Sequence, residues 1–235
     1  MNVVSFSIWG DDQIYHKGLR ENIRLARKYY PGWGIWVYCA QDVRPMLTKD
    51  GLDLDGKRDT FVPYPRTGDW DGSFQRFEPA SHHYVDRVIV RDCDSRIGPR
   101  EAAAVHEWIE SGKTLHVMRD HIRHNTQILA GMWGVYRNRK VDMPRAIDGT
   151  LATYPDGTNN GRPIDQAFLT STLWLEYSDD CMQHDSQFGD RYGETRPFPS
   201  HAPMEYGSYV GEKIAPDGAP APLPGNPHIN PVCGA

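Results

Sequence analysis

Apolar and polar positions near the amino terminus change from one spacing to another. Residues 3–8 and 35–39 are short apolar runs typical of buried strands. Between them, apolar residues recur every three or four positions and predict an amphipathic helix over 14–30, which Pro31 and Gly32 end. A strand–helix–strand order predicts an α/β sheet in which these two strands are parallel.

The rest of the chain continues as short strands and helices. Residues 41–75 are rich in Asp, Gly, Pro and Thr, which favours a long connection with one short strand near Phe61 and Val62. Residues 179–212 have mixed composition and are interpreted as loops. Further helices are predicted over 77–85, GPREAAAVHEWIESG and RPIDQAFLTSTLWLEY, and further strands over 87–91 and KTLHVMRD.

Composition excludes several classes of protein. The 235 residues, 39% of them hydrophobic, suffice for a folded core, and a net charge of −5 argues against a broad nucleic-acid footprint. No apolar run approaches the roughly 20 residues of a membrane span, and the first residues lack the basic region of a signal peptide. The four cysteines are scattered, so we expect a reducing cytoplasm.

The carboxyl-terminal segment differs from the rest of the chain. From Lys213 onward it contains six prolines and few residues that could build a core. We therefore predict one domain over 1–212, followed by an extended or disordered tail over 213–235.

The stretch VIVRDCDSRI carries the strongest chemical signal. Asp92 and Asp94 follow a buried apolar run, where the chain leaves the sheet and both carboxylates can converge. Two carboxylates held close together repel each other, and a hard divalent cation such as Mg²⁺ or Mn²⁺ removes that cost. The neighbouring Arg91 and Arg96 suit a phosphate or carboxylate partner. A surface cluster of ion pairs is the simpler alternative.

Other candidate groups are weaker. Charge also follows the first strand and the KTLHVMRD strand, as expected where ligands bind beyond the carboxyl ends of parallel strands. His121 and His124 have a helical spacing compatible with metal, but we favour polar surface or contact with an acceptor. Walker, Gly-x-Ser-x-Gly and Gly-x-Gly-x-x-Gly motifs do not occur in the sequence, which weighs against NTPases, hydrolases and dehydrogenases.

Several segments resemble, in their order along the chain, the GT-A nucleotide-sugar glycosyltransferases. The similarity is greatest to small bacterial and phage enzymes and more distant to the lipooligosaccharide galactosyltransferase and glycogenin family. It implies a GT-A-like, Rossmann-like α/β fold: one domain with a mixed, mostly parallel sheet flanked by helices. The segments are RFEPASHHYVDRVIVRDCDSR, HVMRDH, ILAGMWG, DQAFL and HDSQFG followed by RPFP.

The resemblance implies a metal site and a catalytic pair. Asp92 and Asp94 match the DxD motif that holds Mn²⁺ or Mg²⁺ on a diphosphate. His184 resembles the late histidine that completes the metal shell, and His201 is a rival ligand. The Asp–Gln pair of these enzymes, which lies beneath the anomeric carbon, matches Asp165 and Gln166.

The resemblance also implies donor-binding residues. The nucleoside is expected over the first strand end, where glycine allows close approach. Arg196 stands where the relatives have a lysine that meets the diphosphate, but it follows His184 by twelve residues, a longer interval than in the relatives. The implied donor-binding residues are Ile8, Trp9, Gly10, Arg76, Asp92, Asp120, Ala130, Gly131 and Arg196.

The resemblance implies a metal-dependent enzyme that transfers a hexose from a nucleotide sugar, taken as UDP-linked, to an acceptor hydroxyl with retention of configuration. The alternative is an inverting enzyme, in which Asp165 would be the base. The acceptor is expected to be a glycan, a lipid-linked sugar or a protein, with a hydroxylated pyrimidine in phage DNA as the alternative. Two other classes stay open. One is a metal-dependent phosphohydrolase of nucleotide sugars, and the other is a non-catalytic module that binds sugars or nucleotides.

Overall fold

Seven strands form the central sheet of the protein, in a computed structural model that describes residues 1–49, 51–52, 54, 56, 58–64 and 70–222. A separate two-stranded hairpin is made by β7 and β8. The strands are β1 (Asn2–Ile8), β2 (Gly34–Ala40), β3 (Thr60–Tyr64), β4 (Arg87–Arg91), β5 (Leu115–Arg119), β6 (Met132–Tyr136), β7 (Thr158–Asn159), β8 (Arg162–Pro163) and β9 (Cys181–Asp185).

The order of the strands is β3-β2-β1-β4-β6-β5-β9. Strands β3, β2, β1 and β4 are mutually parallel, β6 is antiparallel to both of its neighbours, and β9 is parallel to β5. The predicted mixed, mostly parallel sheet is confirmed. Because β1 and β4 are adjacent and parallel, their carboxyl ends lie side by side.

Helices cover both faces of this sheet. Asp12 caps α1, since its Oδ1 accepts a hydrogen bond from the backbone N–H of Ile14 at 2.9 Å. The helices are α1 (Gln13–Tyr29), α2 (Val43–Lys49), α3 (Gly72–Gln75), α4 (Pro99–Ser111), α5 (Met143–Thr153) and α6 (Asp165–Leu169). A 3₁₀ turn over Glu78–Ser81 follows α3, and α6 continues through a π-helical turn, Thr170–Trp174, into Leu175–Tyr177.

The core has one large hydrophobic cluster on each face of the sheet, and a smaller third cluster consists of Ala104, Met118, Met132, Phe198 and Val210. Strand alternation divides β4 between them: Ile89 packs with α1 and α2, whereas Val88 and Val90 pack with α5 and α6. Trp108 anchors the first cluster and Trp133 the second, and both side chains are fully buried. Both faces of the sheet are therefore largely apolar, although Ser5 in β1 and His116 in β5 are buried polar side chains.

Several elements differ from the sequence-based predictions, among them α5, which the sequence did not predict. The helix predicted over 77–85 is only the Glu78–Ser81 turn, since His82 adopts an extended conformation with φ −77° and ψ 127°. Helix α2 lies in the predicted long connection, with Pro45 in its first turn, where the missing N–H costs no hydrogen bond. Strand β9 lies in the predicted loops, because parallel pairing with β5 outweighs its weak strand propensity.

Part of the predicted tail is folded onto the domain. Ile214 is 1% exposed and its N–H donates to the backbone oxygen of Asp94 at 2.8 Å, and a bridge joins Ile214 to Pro220. Residues 223–235 lie outside the described residues, so the domain division stays a prediction.

The loop after β4 is fixed by helix α1. Asn22 is fully buried, and its amide nitrogen donates to the backbone oxygens of Asp92 and Ser95 at 3.1 and 2.8 Å. Its side-chain oxygen accepts from the N–H of Ile97 at 3.0 Å. One turn earlier, Gly18 lies against the same loop, where helix and loop are in direct backbone contact.

Gly18 and Gly149 form a matched pair for testing this contact. A Cβ at Gly18 would collide with the backbone oxygen of Cys93, whereas one at Gly149, in α5, would meet nothing within 4 Å. We expect Gly18→Ala to lower the free energy of unfolding by about 1–3 kcal/mol through overpacking. Gly149→Ala should raise it by up to about 1 kcal/mol. Urea unfolding followed by tryptophan fluorescence measures both, and equal effects would contradict the close approach of α1.

Candidate active site

A cavity of about 540 Å³ opens beyond the carboxyl ends of β1 and β4. Sheet order arranges its walls: β1 and the residues after it form one side, the Asp92–Asp94 loop lies in the middle, and the residues before β6 form the other. The start of α6 closes it. Ten of the predicted site residues line this cavity: Ile8, Trp9, Gly10, Arg76, Asp92, Asp94, Ala130, Gly131, Asp165 and Gln166.

Arg76 is the central cation of the cavity. Its side chain is 7% exposed, its Nη1 donates to Asp92, and its Nη2 lies 3.6 Å from a carboxylate oxygen of Asp165. Burial raises the pKa of Asp165, while the charge of Arg76 lowers it and that of Asp92 raises it further. One guanidinium thus holds together two carboxylates that come from different parts of the chain.

Lys213 does not line the cavity but is a second cation beside the aspartates, and sequence reasoning missed it because it lies in the predicted tail. Its Nζ lies 3.4 Å from the carboxylate of Asp94 and 3.4 Å from the hydroxyl of Tyr15. Burial and the charge of Asp92 raise the pKa of Asp94, and Lys213 opposes that shift. The neighbouring glycine, Gly211, lines the cavity.

Gly131 allows the approach of Asp92 to the far wall. A Cβ at this position would overlap the Asp92 carboxylate, so only glycine leaves room for it. The near wall is aromatic: Trp9 and Trp70 meet edge to face with ring centroids 6.4 Å apart, and Tyr15 also lines the cavity. These rings give the β1 side of the cavity an aromatic wall beside the carboxylates.

Arg91 and Arg96, which flank the two aspartates, bind neighbouring protein groups and do not face the cavity. Arg91 is 2% exposed and its Nε donates to Glu101 of α4 at 2.5 Å. Arg96 donates from Nη1 to the backbone oxygens of Cys93 and Ser95 at 3.4 and 2.8 Å. Neither arginine lines the cavity. Their hydrogen bonds to Glu101 and to the loop backbone hold the end of β4 in place.

Asp120 does not line the cavity, although the resemblance implied a contact with the donor. Arg100 donates to its carboxylate from Nε and Nη2 at 3.0 and 3.1 Å. The hydroxyl of Ser186 and the N–H of Val210 complete its shell at 2.6 and 3.0 Å. With these donors, the carboxylate has a structural role, joining the strand end to the segment before Gly211.

His184 and Arg196 lie outside the cavity, against helix α4. The Nδ1 of His184 is 2.9 Å from the Nε2 of His116, and its Nε2 is 3.1 Å from Glu107 of α4. Arg196 lies 3.5 Å from the same glutamate. Alternation along β9 turns His184 toward α4, so the structure does not bring it to the predicted metal site. His201 is exposed and does not line the cavity either.

The donor set available to a divalent cation is therefore Asp92 and Asp94. Within the described ranges, no three His, Cys, Asp or Glu side chains form a group that could hold a metal ion. Two carboxylates fit Mg²⁺ or Mn²⁺ when substrate phosphates and water supply the remaining oxygens. Burial and the charge of Asp92 raise the pKa of Asp94, and a bound cation would favour its ionised form.

His124 lines the cavity. Its Nδ1 accepts a hydrogen bond from the backbone N–H of Asp120 at 3.1 Å. Burial, followed by the charge of His121, lowers the pKa of His124 to about 4, so its ring is neutral at physiological pH. The sequence analysis gave contact with an acceptor as one interpretation for both His121 and His124. The sequence alone did not show which of the two histidines lies in the cavity.

Comparisons with known proteins identify the fold. No family model and no curated protein match the chain. A glycosyltransferase involved in the glycosylation of the major capsid of PBCV-1 is 10% identical, with 78% of this chain and 81% of that chain covered and a TM-score of 0.50. Galactosyltransferase LgtC, solved with donor and acceptor sugar analogues, is 14% identical, with 80% and 74% covered and a TM-score of 0.49.

A third similar structure is 4-diphosphocytidyl-2C-methyl-D-erythritol synthase from Anaerococcus prevotii. It is 6% identical, with 80% of this chain and 90% of that chain covered and a TM-score of 0.47. The likeness to the PBCV-1 glycosyltransferase, together with the sheet order, confirms the predicted GT-A-like fold. At these identities the likeness concerns the fold, and the activity has to be argued from the cavity.

Arg76→Ala tests the electrostatic arrangement of the cavity. Its removal leaves the buried Asp165 beside Asp92 without the shared cation, so we expect the free energy of unfolding to fall by about 3 kcal/mol. Arg24→Ala, which breaks an exposed pair with Glu21, should leave it almost unchanged. Urea unfolding at pH 7.5 compares the two variants. A small and equal effect would show that Arg76 does not balance the carboxylates.

Proposed function

We propose that the chain is a metal-dependent glycosyltransferase that moves a hexose from a UDP-sugar to an acceptor hydroxyl, with retention of configuration. The observation that carries this proposal is the cavity itself. An aromatic wall, a pair of aspartates and the start of α6 face one another across a space of about 540 Å³ at the strand ends of a GT-A-like fold. That volume lies within the usual range of small-molecule sites.

The nucleoside is assigned to the β1 side of the cavity. Trp9, Trp70 and Tyr15 line the cavity there, and Gly10 adopts the left-handed φ of +68° that glycine favours at a tight turn. Among the described residues, no helix is both long and apolar enough to cross a membrane.

The diphosphate is assigned to the middle of the cavity. Asp92 and Asp94 would hold Mn²⁺ or Mg²⁺ there, and the bound cation would neutralise the negative charge that develops on the departing nucleoside diphosphate. Arg76 and Lys213 already lie against the same two carboxylates. When phosphate oxygens approach, both cations can turn part of their hydrogen-bonding capacity toward them.

The transferred hexose is assigned to the space before β6 and α6. Asp165 and Gln166 line it from the start of α6, and the small residues Ala130 and Gly131 line it from the side of β6. Asp165 is engaged by Arg76 and by the N–H of Gln166, the latter at 2.9 Å. In a retaining enzyme Asp165 would accept hydrogen bonds from sugar hydroxyls, whereas in an inverting enzyme it would be the base that removes the acceptor proton.

A panel of nucleotide sugars with Mn²⁺ tests the proposal. We expect release of UDP from at least one UDP-hexose, and faster release when sugars or glycans are added as acceptors. Turnover that no acceptor redirects into product would indicate a phosphohydrolase. Binding of the donor without any release of UDP would indicate a binding module, and no binding of any donor would overturn the proposal. A steep fall of acceptor binding with salt would favour DNA as the acceptor.

Asp92→Ala and Asp94→Ala should each lower the rate of UDP release about a hundredfold or more, because charge on the leaving diphosphate loses its stabilisation. His201→Ala, at an exposed position outside the cavity, should leave the rate unchanged. The rates are measured at several Mn²⁺ concentrations. If His201→Ala removed the dependence on Mn²⁺ and the aspartate variants kept it, the metal site would lie elsewhere.

Asp94→Asn tests the repulsion between the aspartates. A carboxyl group whose pKa is raised in the folded state destabilises that state at pH values above its pKa. Without divalent cations at pH 7.5, we therefore expect the amide to raise the melting temperature. Mn²⁺ at a hundred times its dissociation constant should raise the free energy of unfolding of the wild-type protein by about 2.7 kcal/mol. It should raise that of the variant much less.

The matched control is Asp42→Asn, which neutralises an exposed carboxylate away from the cavity. It should change neither the melting temperature in EDTA nor the response to Mn²⁺. An Asp94→Asn variant that is less stable than wild type in EDTA would show that the ion pair with Lys213 outweighs the repulsion.

A further inference from the structure

His124 lies at the sugar end of the cavity described above. In the sheet, β4 with its aspartates separates β1 from β6 and β5, and His124 belongs to the loop between β5 and β6. The same loop supplies Leu129, Ala130 and Gly131 to the wall. Since the aromatic rings are on the β1 side, His124 faces the part of a ligand that lies beyond the diphosphate.

The tautomer of His124 is fixed by the backbone. The N–H of Asp120 donates to its Nδ1 at 3.1 Å, so Nδ1 is an acceptor and the proton of the neutral ring is on Nε2. Asp120 itself is held by Arg100, Ser186 and Val210, which keeps this N–H in position. Protonation at Nδ1 would place two N–H groups against each other.

The Nε2 atom of His124 is available to a ligand. The described residues provide it with no hydrogen-bond partner, and it is not among the buried atoms that lack one, so it is open to the cavity. The ring itself is 9% exposed and packs edge to face on Tyr209, with centroids 5.5 Å apart. Tyr209 is in turn stacked on His121 at 4.1 Å.

We propose that the Nε2–H of His124 donates a hydrogen bond to a carbohydrate hydroxyl and thereby contributes to sugar selection. The inference rests on the proposed function and deepens it. The hydroxyl belongs either to the transferred hexose or to the acceptor, since both meet at this end of the cavity. The fixed tautomer also means that His124 is not a metal ligand through Nε2, because that role would require the ring proton on Nδ1.

Two substitutions separate the donated hydrogen bond from the packing of the ring. His124→Gln can place an amide N–H near the position of Nε2, whereas His124→Phe keeps a ring and removes both nitrogens. Loss of one such bond weakens binding about fivefold to tenfold. His121→Gln is the matched control: its Nδ1 also accepts a backbone N–H, from Arg123 at 3.3 Å, but it does not line the cavity.

Isothermal titration calorimetry with Mn²⁺ compares UDP, UDP-glucose and UDP-galactose on wild type and the three variants. If the partner is the transferred hexose, His124→Phe weakens binding of at least one UDP-hexose by that factor and leaves UDP unchanged. If the partner is the acceptor, donor binding is unchanged and the ratio of transfer to hydrolysis falls, measured with free hexoses as acceptors. In both cases His124→Gln recovers part of the loss and His121→Gln behaves as wild type.

Other outcomes overturn the inference. Equal weakening of UDP and UDP-hexoses would show that His124 only supports the cavity, and unchanged binding with an unchanged transfer ratio would show that it does not meet a sugar. A His124→Phe variant that fails to fold leaves His124→Gln and a hydroxyl-deleted donor, UDP-deoxyglucose, as the test. Wild-type protein that binds no UDP-sugar would instead refute the proposed function.

Discussion

The arrangement of the cavity depends on the balance of charge between three aspartates and two cations. Asp92, Asp94 and Asp165 converge where the sheet ends, and their repulsion has to be offset for the chain to fold. Arg76 joins Asp92 to Asp165, and Lys213 lies against Asp94. Because a guanidinium has several N–H groups in one plane, a single buried arginine can serve two carboxylates at once.

Close backbone contacts give this charge cluster its shape. Asn22 of α1 binds the loop after β4 at three points, and Gly18 lets the helix touch that loop. On the opposite wall, Gly131 makes room for the Asp92 carboxylate. These close contacts fix the positions of the backbone and of the Asp92 carboxylate, so the site is formed before any ligand binds.

The segment before residue 214 connects the two halves of the proposed site. Val210 donates to Asp120, whose own backbone fixes the ring of His124, and Lys213 pairs with Asp94. The segment 210–213 therefore contacts both the sugar end and the diphosphate end of the cavity. A substitution in this segment would affect both ends together, even though its residues are far from β4 and β5 in the sequence.

The sequence by itself determined the features that depend on local pattern. Apolar periodicity predicted β1, α1, β4 and α4, and a charged strand end predicted Asp92 and Asp94, since such patterns follow from neighbouring residues alone. Only the tertiary structure decided that His184 faces α4 and that Arg100 forms an ion pair with Asp120. It also decided that His124 lines the cavity and that Lys213 lies beside Asp94. These outcomes depend on strand pairing and on contacts between distant residues, which local propensity does not encode.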